Sequence, residues 1–184
     1  MARIVVIGGG IGGLTAALLM ARDDHHVTVI ERDAATPIGA PSEAFTSWQR
    51  RGVPQFRLPH VFLPRFTELL DDELPDVVTA LLAAGATRTN RMATLPEAHT
   101  GGFRPCDRRF DQVTGRRAMV EATLAAAAAG QEGVAIRRGA VMRSLVPGRQ
   151  HPGGVPTVTG VGLASASPPT SSSTAVVVTP SSRG

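Results

Sequence analysis

The residues best suited to chemistry lie near the N-terminus, where residues 8–13 read Gly-Gly-Gly-Ile-Gly-Gly. In this pattern, Gly8 permits a tight turn, Gly10 lets a ligand approach the backbone closely, and Gly13 lets a helix pack against a strand. A helix that begins at this loop directs unpaired N–H groups and a partial positive charge at a phosphate group. Ile11 and Gly12 complete the loop. The spacing therefore predicts a binding site for the pyrophosphate of a dinucleotide.

An acidic residue follows at the distance that such a site requires. Glu31 lies 23 positions after Gly8, at the end of the next apolar run. A carboxylate there accepts hydrogen bonds from the hydroxyls of an adenosine ribose, and it disfavours a ribose 2′-phosphate. Arg32, the next residue, is included with Glu31 among the candidate cofactor-binding residues. The alternative interpretation of residues 8–13 is a glycine-rich turn that binds no ligand.

The surrounding sequence predicts the elements that would position these residues. Residues 3–7 and 26–30 are short β-branched runs typical of buried parallel strands, and residues 14–22 between them favour a helix. Together they predict a β-α-β unit. Asp24 stands where the helix should end in a left-handed residue, a position that glycine usually occupies.

The rest of the chain predicts further elements around this unit. We expect an irregular segment over 33–64 with a short helix near 42–48, irregular structure with short strands over 87–110, and a third parallel strand over 134–137. Helices are predicted over 62–70, 76–84 and 115–129, and an antiparallel pair over 140–146 and 155–161, joined by a turn over 147–154. Residues 1–162 thus form one predicted domain, whereas 163–184 read as a low-complexity, disordered tail.

Composition excludes several classes of protein. The 184 residues are 42% hydrophobic and 18% charged, enough to bury a core, and no apolar run is long enough to span a membrane. All 19 basic residues are arginine, but they are scattered, the net charge is only +4 and aromatic residues make up 4%, so we expect no nucleic-acid partner. A single cysteine, Cys106, and the lack of a signal peptide favour a cytoplasmic protein. The histidines lack ligand spacing, so no metal site is predicted.

Several segments resemble a known family. Residues 5–18 and 27–33 resemble the N-terminal FAD-binding segment of FAD-dependent oxidoreductases related to single-component aromatic hydroxylases. Residues 48–55, Trp-Gln-Arg-Arg-Gly-Val-Pro-Gln, are similar to a segment of one bacterial subgroup. Residues 117–124 resemble the family helix whose arginine lies near the flavin, and residues 133–139 resemble the strand that precedes its β-meander. The resemblance covers residues 2 to 161.

The resemblance implies a fold and an activity. The fold would be α/β, a Rossmann-like three-layer FAD/NAD(P)-binding domain with a partial β-meander. The activity would be a monooxygenation in which FAD is reduced by NAD(P)H and oxygen is inserted into a small organic substrate. The resemblance also places Arg117 near the flavin and Val141 near the adenine, and it leaves the catalytic residues unassigned. It also suggests His60 as a residue over the flavin.

Two family motifs have no counterpart in the chain, an Asp-Gly-x-Gly-Arg-x-Ser strand end and a later Gly-Asp. We therefore expect a domain that is incomplete at its C-terminus and, alone, inactive. One hypothesis is that residues 165–180 are translated out of frame, by one base, from the part of the gene that encodes the missing strand. The codons of the gene would confirm or contradict this hypothesis. Two other functions stay open: a non-catalytic dinucleotide-binding module or decayed gene product, and an NAD-dependent dehydrogenase fragment.

Overall fold

The N-terminal sequence forms the predicted β-α-β unit. The structure is a computed structural model that describes residues 1–148, 157–165 and 175–179. Strand β1 spans Arg3–Ile7, helix α1 spans Ile11–Arg22 and strand β2 spans His26–Glu31. Strands β1 and β2 are parallel, with Ile4 opposite Val27. Asp24 has a φ of +59°, so the predicted left-handed residue after α1 is confirmed.

Within the described residues six further helices follow, several of them short. They are α2 (Ala44–Ser47), α3 (Pro64–Glu73), α4 (Pro75–Ala83), α5 (Arg91–Thr94), α6 (Glu97–Thr100) and α7 (Arg117–Gly130). Single 3-10 turns occur at Pro41–Glu43, Pro54–Arg57 and Pro105–Phe110. Among the helices of the described ranges, none is both long and apolar enough to cross a membrane.

A small antiparallel sheet combines a strand in the segment predicted as irregular, 33–64, with two later strands. Its strands are β3 (Pro59–Phe62), β4 (Thr87–Asn90) and β5 (Asp111–Arg116), in the order β3-β5-β4. The prediction of a helix from residue 115 was therefore wrong at its start. Gly115 and Arg116 pair with β3, and α7 begins only at Arg117.

The third parallel strand is confirmed. Strand β6 spans Val134–Arg138 and pairs with β2, so that Glu31 lies opposite Arg138. Strands β7 (Ala140–Pro147) and β8 (Val158–Ser165) form the predicted antiparallel pair. Residues 149–156, most of the turn between them, lie outside the described residues.

A fourth strand, β9 (Ala175–Thr179), completes the main sheet in the order β6-β2-β1-β9. It pairs antiparallel with β1, with Val178 opposite Ile4. For these five residues, and for residues 163–165 at the end of β8, the structure differs from the expected disordered tail. A run of β-branched residues such as β9 can join a sheet edge through its main chain. The rest of the expected tail beyond Ser165 lies outside the described residues, and the division of the chain at residue 162 stays a prediction.

Apolar side chains between these elements form the core. One cluster joins α1, α3, α4 and α7 and includes Leu14, Leu70, Leu81 and Leu124, none of which has any exposed surface. A second cluster lies on the main sheet. A third surrounds Trp48, which is 1% exposed, and packs α2 against Ala118 and Ala122 of α7. Helix α7 thus contacts both the sheet layer and the segment that carries residues 48–55.

Candidate functional site

The glycine loop lies between β1 and the N-terminus of α1. Gly8 has a φ of +102°, and its N–H donates to the carbonyl of Ile30 at 2.8 Å, so the turn is tied to the end of β2. Gly10 is the residue before α1, and no side chain caps the helix there. The first N–H groups of α1 are therefore left for solvent or a ligand, the arrangement that binds phosphate.

The glycines of this loop serve two different purposes. A Cβ on Gly13 would lie 1.9 Å from the carbonyl oxygen of Gly8, so this position must be glycine for α1 to pack beside β1. A Cβ on Gly10 or Gly12 would meet nothing within 4 Å. Because space alone does not demand glycine at those two positions, the open volume over them suits a ligand that lies against the backbone.

Glu31 lies against the same loop. The residue is only 4% exposed, and its Oε2 accepts a hydrogen bond of 2.7 Å from the N–H of Gly9. Its Oε1 accepts a bond of 2.8 Å from the N–H of Asp33. The structure therefore brings the predicted acid and the predicted phosphate loop together.

A third group, Arg50, was not predicted as a site residue. Its side chain is 3% exposed and lies between the loop and α7. Nη2 donates to Glu31 Oε2 at 2.5 Å, and Nη1 donates to the carbonyl of Gly9 at 3.0 Å. The only signal in the sequence was the family-like segment 48–55, since nothing in the local pattern shows that an arginine in a loop will be buried.

Helix α7 supplies the remaining charges. Glu121 has no exposed surface, and its Oε2 accepts a hydrogen bond of 2.5 Å from Nη1 of Arg50. Its Oε1 accepts a bond of 2.7 Å from Nε of Arg117, one helical turn earlier. Arg117, predicted to lie near the flavin, is thus joined to Glu31 through Glu121 and Arg50. We call these four residues and Asp33 the charge cluster.

The charge cluster keeps Glu31 and Arg50 ionised. Burial alone raises the pKa of Glu31, but the charge of Arg50 and the N–H donors of Asp33 and Gly9 outweigh it, and the pKa lies below its usual value. Burial lowers the pKa of Arg50, but Glu31 and Glu121 together raise it above its usual value. Glu31 is therefore a carboxylate at neutral pH and can only accept hydrogen bonds.

Unused hydrogen-bonding atoms in the charge cluster fit a ribose. Among the described residues, the Nε of Arg50 and the Oδ2 of Asp33 are buried without a hydrogen-bond partner, and they lie 3.6 Å apart. A hydroxyl group can accept from the first atom and donate to the second. Glu31 Oε1, with a single donor among the described contacts, can also accept one more hydrogen bond. A ribose of FAD at this loop would supply hydroxyls of that kind.

The other predicted site residues lie around this centre. The side chain of Ile11 is 7% exposed and belongs to the core, which leaves only its backbone for a ligand. Arg32 is partly buried and reaches the carbonyl of Gly52 at 3.5 Å. Val141 lies in β7 opposite Ala164, and strand β7 contacts β2.

His60 lies on β3 opposite Gly115, with its ring 4.9 Å from that of Phe62. Burial and the nearby charge of Arg117 lower the pKa of His60 below 6.5, although Glu121 acts in the other direction. Cys106 is an exposed free thiol. Within the described ranges, no three metal-binding side chains lie together.

Comparisons with known proteins agree with this geometry. Residues 6–71 match the family model of the NAD(P)-binding Rossmann-like domain. Comparison with curated protein sequences gives no match. The match to the family model covers the glycine loop, Glu31, Asp33 and Arg50.

Solved structures resemble the chain over most of its length. PqsL, a probable FAD-dependent monooxygenase from Pseudomonas aeruginosa, is 13% identical with a TM-score of 0.58, over 88% of this chain and 38% of its own. The p-nitrophenol 4-monooxygenase PnpA from Pseudomonas putida DLL-E4 is 16% identical with a TM-score of 0.52, and the match covers 98% of this chain and 40% of PnpA. THI4 from Thermovibrio ammonificans is 18% identical with a TM-score of 0.50, and the match covers 88% of this chain and 46% of THI4.

The chain therefore spans less than half the length of each of these proteins. Identities this low establish a shared fold, and function has to be argued from the site. The α/β architecture, the parallel strands and the glycine loop agree between the structure and the comparisons. The chain has the Rossmann-like dinucleotide-binding fold found in FAD-dependent monooxygenases.

Proposed function

We propose that this chain is the FAD-binding part of an NAD(P)H-dependent flavoprotein monooxygenase. One observation carries the proposal: an uncapped helix N-terminus behind a glycine loop lies beside a buried, ionised Glu31. Such a pair binds the pyrophosphate and the ribose of a dinucleotide. The fold shared with FAD-dependent monooxygenases supports FAD as that dinucleotide.

Each residue of the site has a distinct task in this proposal. Gly10, Gly12 and the first N–H groups of α1 hold the pyrophosphate, because no side chain stands between the backbone and the ligand. Glu31 accepts a ribose hydroxyl. Arg50 fixes the Glu31 carboxylate against the loop and joins it to α7. Arg32 and Val141 flank the adenine, and Arg117 lies on the side of the flavin.

The reaction belongs to the whole enzyme. When bound, FAD supplies the redox chemistry, and the protein supplies binding, orientation and electrostatics. NAD(P)H is the proposed reductant, a small organic molecule the proposed substrate, and the cytoplasm the proposed location. Because the chain spans less than half of its structural relatives, we expect no turnover from the 184 residues alone.

Two other functions make different predictions. An NAD-dependent dehydrogenase fragment would retain NAD⁺ and not FAD, although it would use the same glycine loop and the same acid. A non-catalytic module would bind the dinucleotide and stay inactive even when its missing part is restored. Bound flavin separates the first alternative from our proposal, and turnover by the restored enzyme separates the second.

The first experiment is an absorption spectrum of the purified chain after incubation with FAD and gel filtration. We expect the protein to retain flavin, and we expect Glu31→Gln to weaken FAD affinity about tenfold through the loss of one charge-assisted hydrogen bond. Glu68→Gln on the exposed face of α3 is the matched control and should bind like the wild type. A folded but colourless wild-type protein would overturn the proposal, and NAD⁺ retained in its place would support the dehydrogenase.

A further inference from the structure

A small pocket lies on the outer side of the segment that contains Arg50. Its volume is about 200 Å³, and its lining includes Gln49, Arg51, Phe56 and Arg57. This volume is below the usual range for a complete small-molecule site, so the pocket suits one head group of a larger ligand. Arg50 also borders it, but the guanidinium of Arg50 is already paired with Glu31 and Glu121.

Arg57, which lines this pocket, is held in place by aromatic rings, and Arg116 stacks on one of them. The Cζ of Arg57 lies 5.0 Å from the ring centre of Phe45 and 5.6 Å from that of Phe56, and one Nη donates to the carbonyl of Trp48 at 3.1 Å. The Cζ of Arg116 lies 4.9 Å from the same Phe45 ring. Stacking of this kind fixes a guanidinium while leaving N–H donors on its edge unused.

These cations have no acidic partner. Throughout the part of the chain that the structure describes, neither Arg51, Arg57 nor Arg116 forms an ion pair with a carboxylate. Arg57 shares the pocket with Arg51 and the Phe45 ring with Arg116, so each pair of like charges is repulsive, and a bound anion relieves that repulsion. The arrangement is the opposite of the charge cluster, where every arginine faces a carboxylate.

We propose that Arg51 and Arg57, with Arg116 beside them, form an anion-binding site for a phosphate or carboxylate group of a small molecule. The edge of a guanidinium matches two oxygens of such a group. Because Arg57 is already held by two rings and a carbonyl, little side-chain entropy is lost on binding. The anion belongs either to a phosphate of a pyridine nucleotide or to the carboxylate of an acidic organic substrate. The site uses the neighbours of Arg50 and not its paired guanidinium, and it does not depend on FAD being the cofactor.

The test uses the full 184-residue chain at low ionic strength. Inorganic phosphate, NADP⁺ and benzoate are titrated separately, and binding is followed by calorimetry and by the NMR signals of the arginine Nε–H groups. We expect phosphate to shift the signals of Arg51 and Arg57, and Arg51→Gln to weaken its binding about tenfold. Arg51 is exposed and, among the described residues, forms no hydrogen bond or ion pair, so we expect this substitution to leave the fold intact. Arg57→Gln should weaken binding at least as much.

Arg143→Gln, which removes the same charge from an exposed position of β7, is the matched control. Unchanged binding by this variant supports a specific site. An equal loss of phosphate affinity in all three variants would show that binding depends only on net charge and would overturn the proposal. Absence of binding by all three probes would also overturn it. Tighter binding of NADP⁺ than of phosphate, lost in Arg51→Gln, identifies a nucleotide phosphate as the anion. Tighter binding of benzoate identifies a carboxylate.

Discussion

The carboxylate of Glu121 lies 2.5 Å from the guanidinium of Arg50, and both side chains are almost entirely enclosed by protein. The two residues are 71 positions apart, one in a loop and one in the middle of α7. Arg50 also contacts Glu31 and the carbonyl of Gly9. A single side chain thus holds the glycine loop, the end of β2 and α7 in one arrangement.

Breaking this buried pair should be costly. Glu121→Gln leaves Arg50 with one carboxylate fewer and a poorer acceptor, and we expect a loss of about 3 kcal/mol in the free energy of unfolding, measured with urea. Arg50→Gln should cost at least as much, since it leaves buried Glu31 and Glu121 without their shared cation. Glu68→Gln, which breaks an exposed pair with Arg65, should leave the urea midpoint unchanged. Equal effects at the buried and exposed pairs would contradict the role of Arg50.

Two neighbouring glycines should respond differently to alanine. Gly13→Ala places a methyl group against the carbonyl of Gly8, so α1 must move away from β1, and we expect both stability and FAD retention to fall. Gly12→Ala meets no protein atom within 4 Å, so the protein should stay at least as stable as the wild type. If FAD lies against this backbone, Gly12→Ala should nevertheless weaken FAD binding. Thermal unfolding and flavin absorbance measure the two effects, and unchanged FAD affinity in Gly12→Ala would argue against the proposed pyrophosphate site.

The environment of His60 predicts a pH dependence of stability. Burial and Arg117 lower the folded-state pKa of His60 below 6.5, so the folded protein favours the neutral ring. Between that lowered pKa and 6.5, the unfolded chain binds more protons than the folded protein. The contribution of His60 to stability is therefore complete above pH 6.5 and is lost as the pH falls through the folded-state pKa. Urea unfolding at a series of pH values should show this slope, and His60→Gln should reduce it. An identical slope in the variant would show that other groups cause it.

Asp24 offers a simple gain in stability. Its φ of +59° is unfavourable for a residue with a Cβ, and Asp24→Gly should raise the free energy of unfolding by up to about 1 kcal/mol. Asp23→Gly is the matched control, because Asp23 has a φ of −87° and gains nothing from glycine. A melting temperature that rises in the first variant and falls or stays constant in the second is the expected result. FAD binding should be the same in both.

The elements that the sequence predicted well are those with strong local signals. Runs of β-branched residues mark β1, β2 and β6, and glycines and prolines mark the bounds of α1 and α4. The motif spacing also placed Glu31 beside the loop, since parallel strands end at the same edge of a sheet. These features depend on residues close together in the chain.

The features that escaped prediction depend on distant partners. Strands β3 and β5 are short and partly polar, and each depends on pairing with strands that are distant in the chain. Arg50 looks like any loop arginine until Glu31 and Glu121, 19 and 71 residues away, surround it. The stacking of Arg57 and Arg116 on Phe45 likewise joins three separate segments.

The position of β9 has a consequence for synthesis of the chain. Strand β1 is the first strand made, yet one of its two neighbours is β9, which is more than 140 residues beyond β2. At usual rates of translation, one edge of β1 waits roughly 7 to 30 s for its partner. An apolar strand with unpaired N–H and C=O groups is a template for pairing with another chain. Residues 3–7 are therefore the segment of the nascent protein that most needs protection by a chaperone.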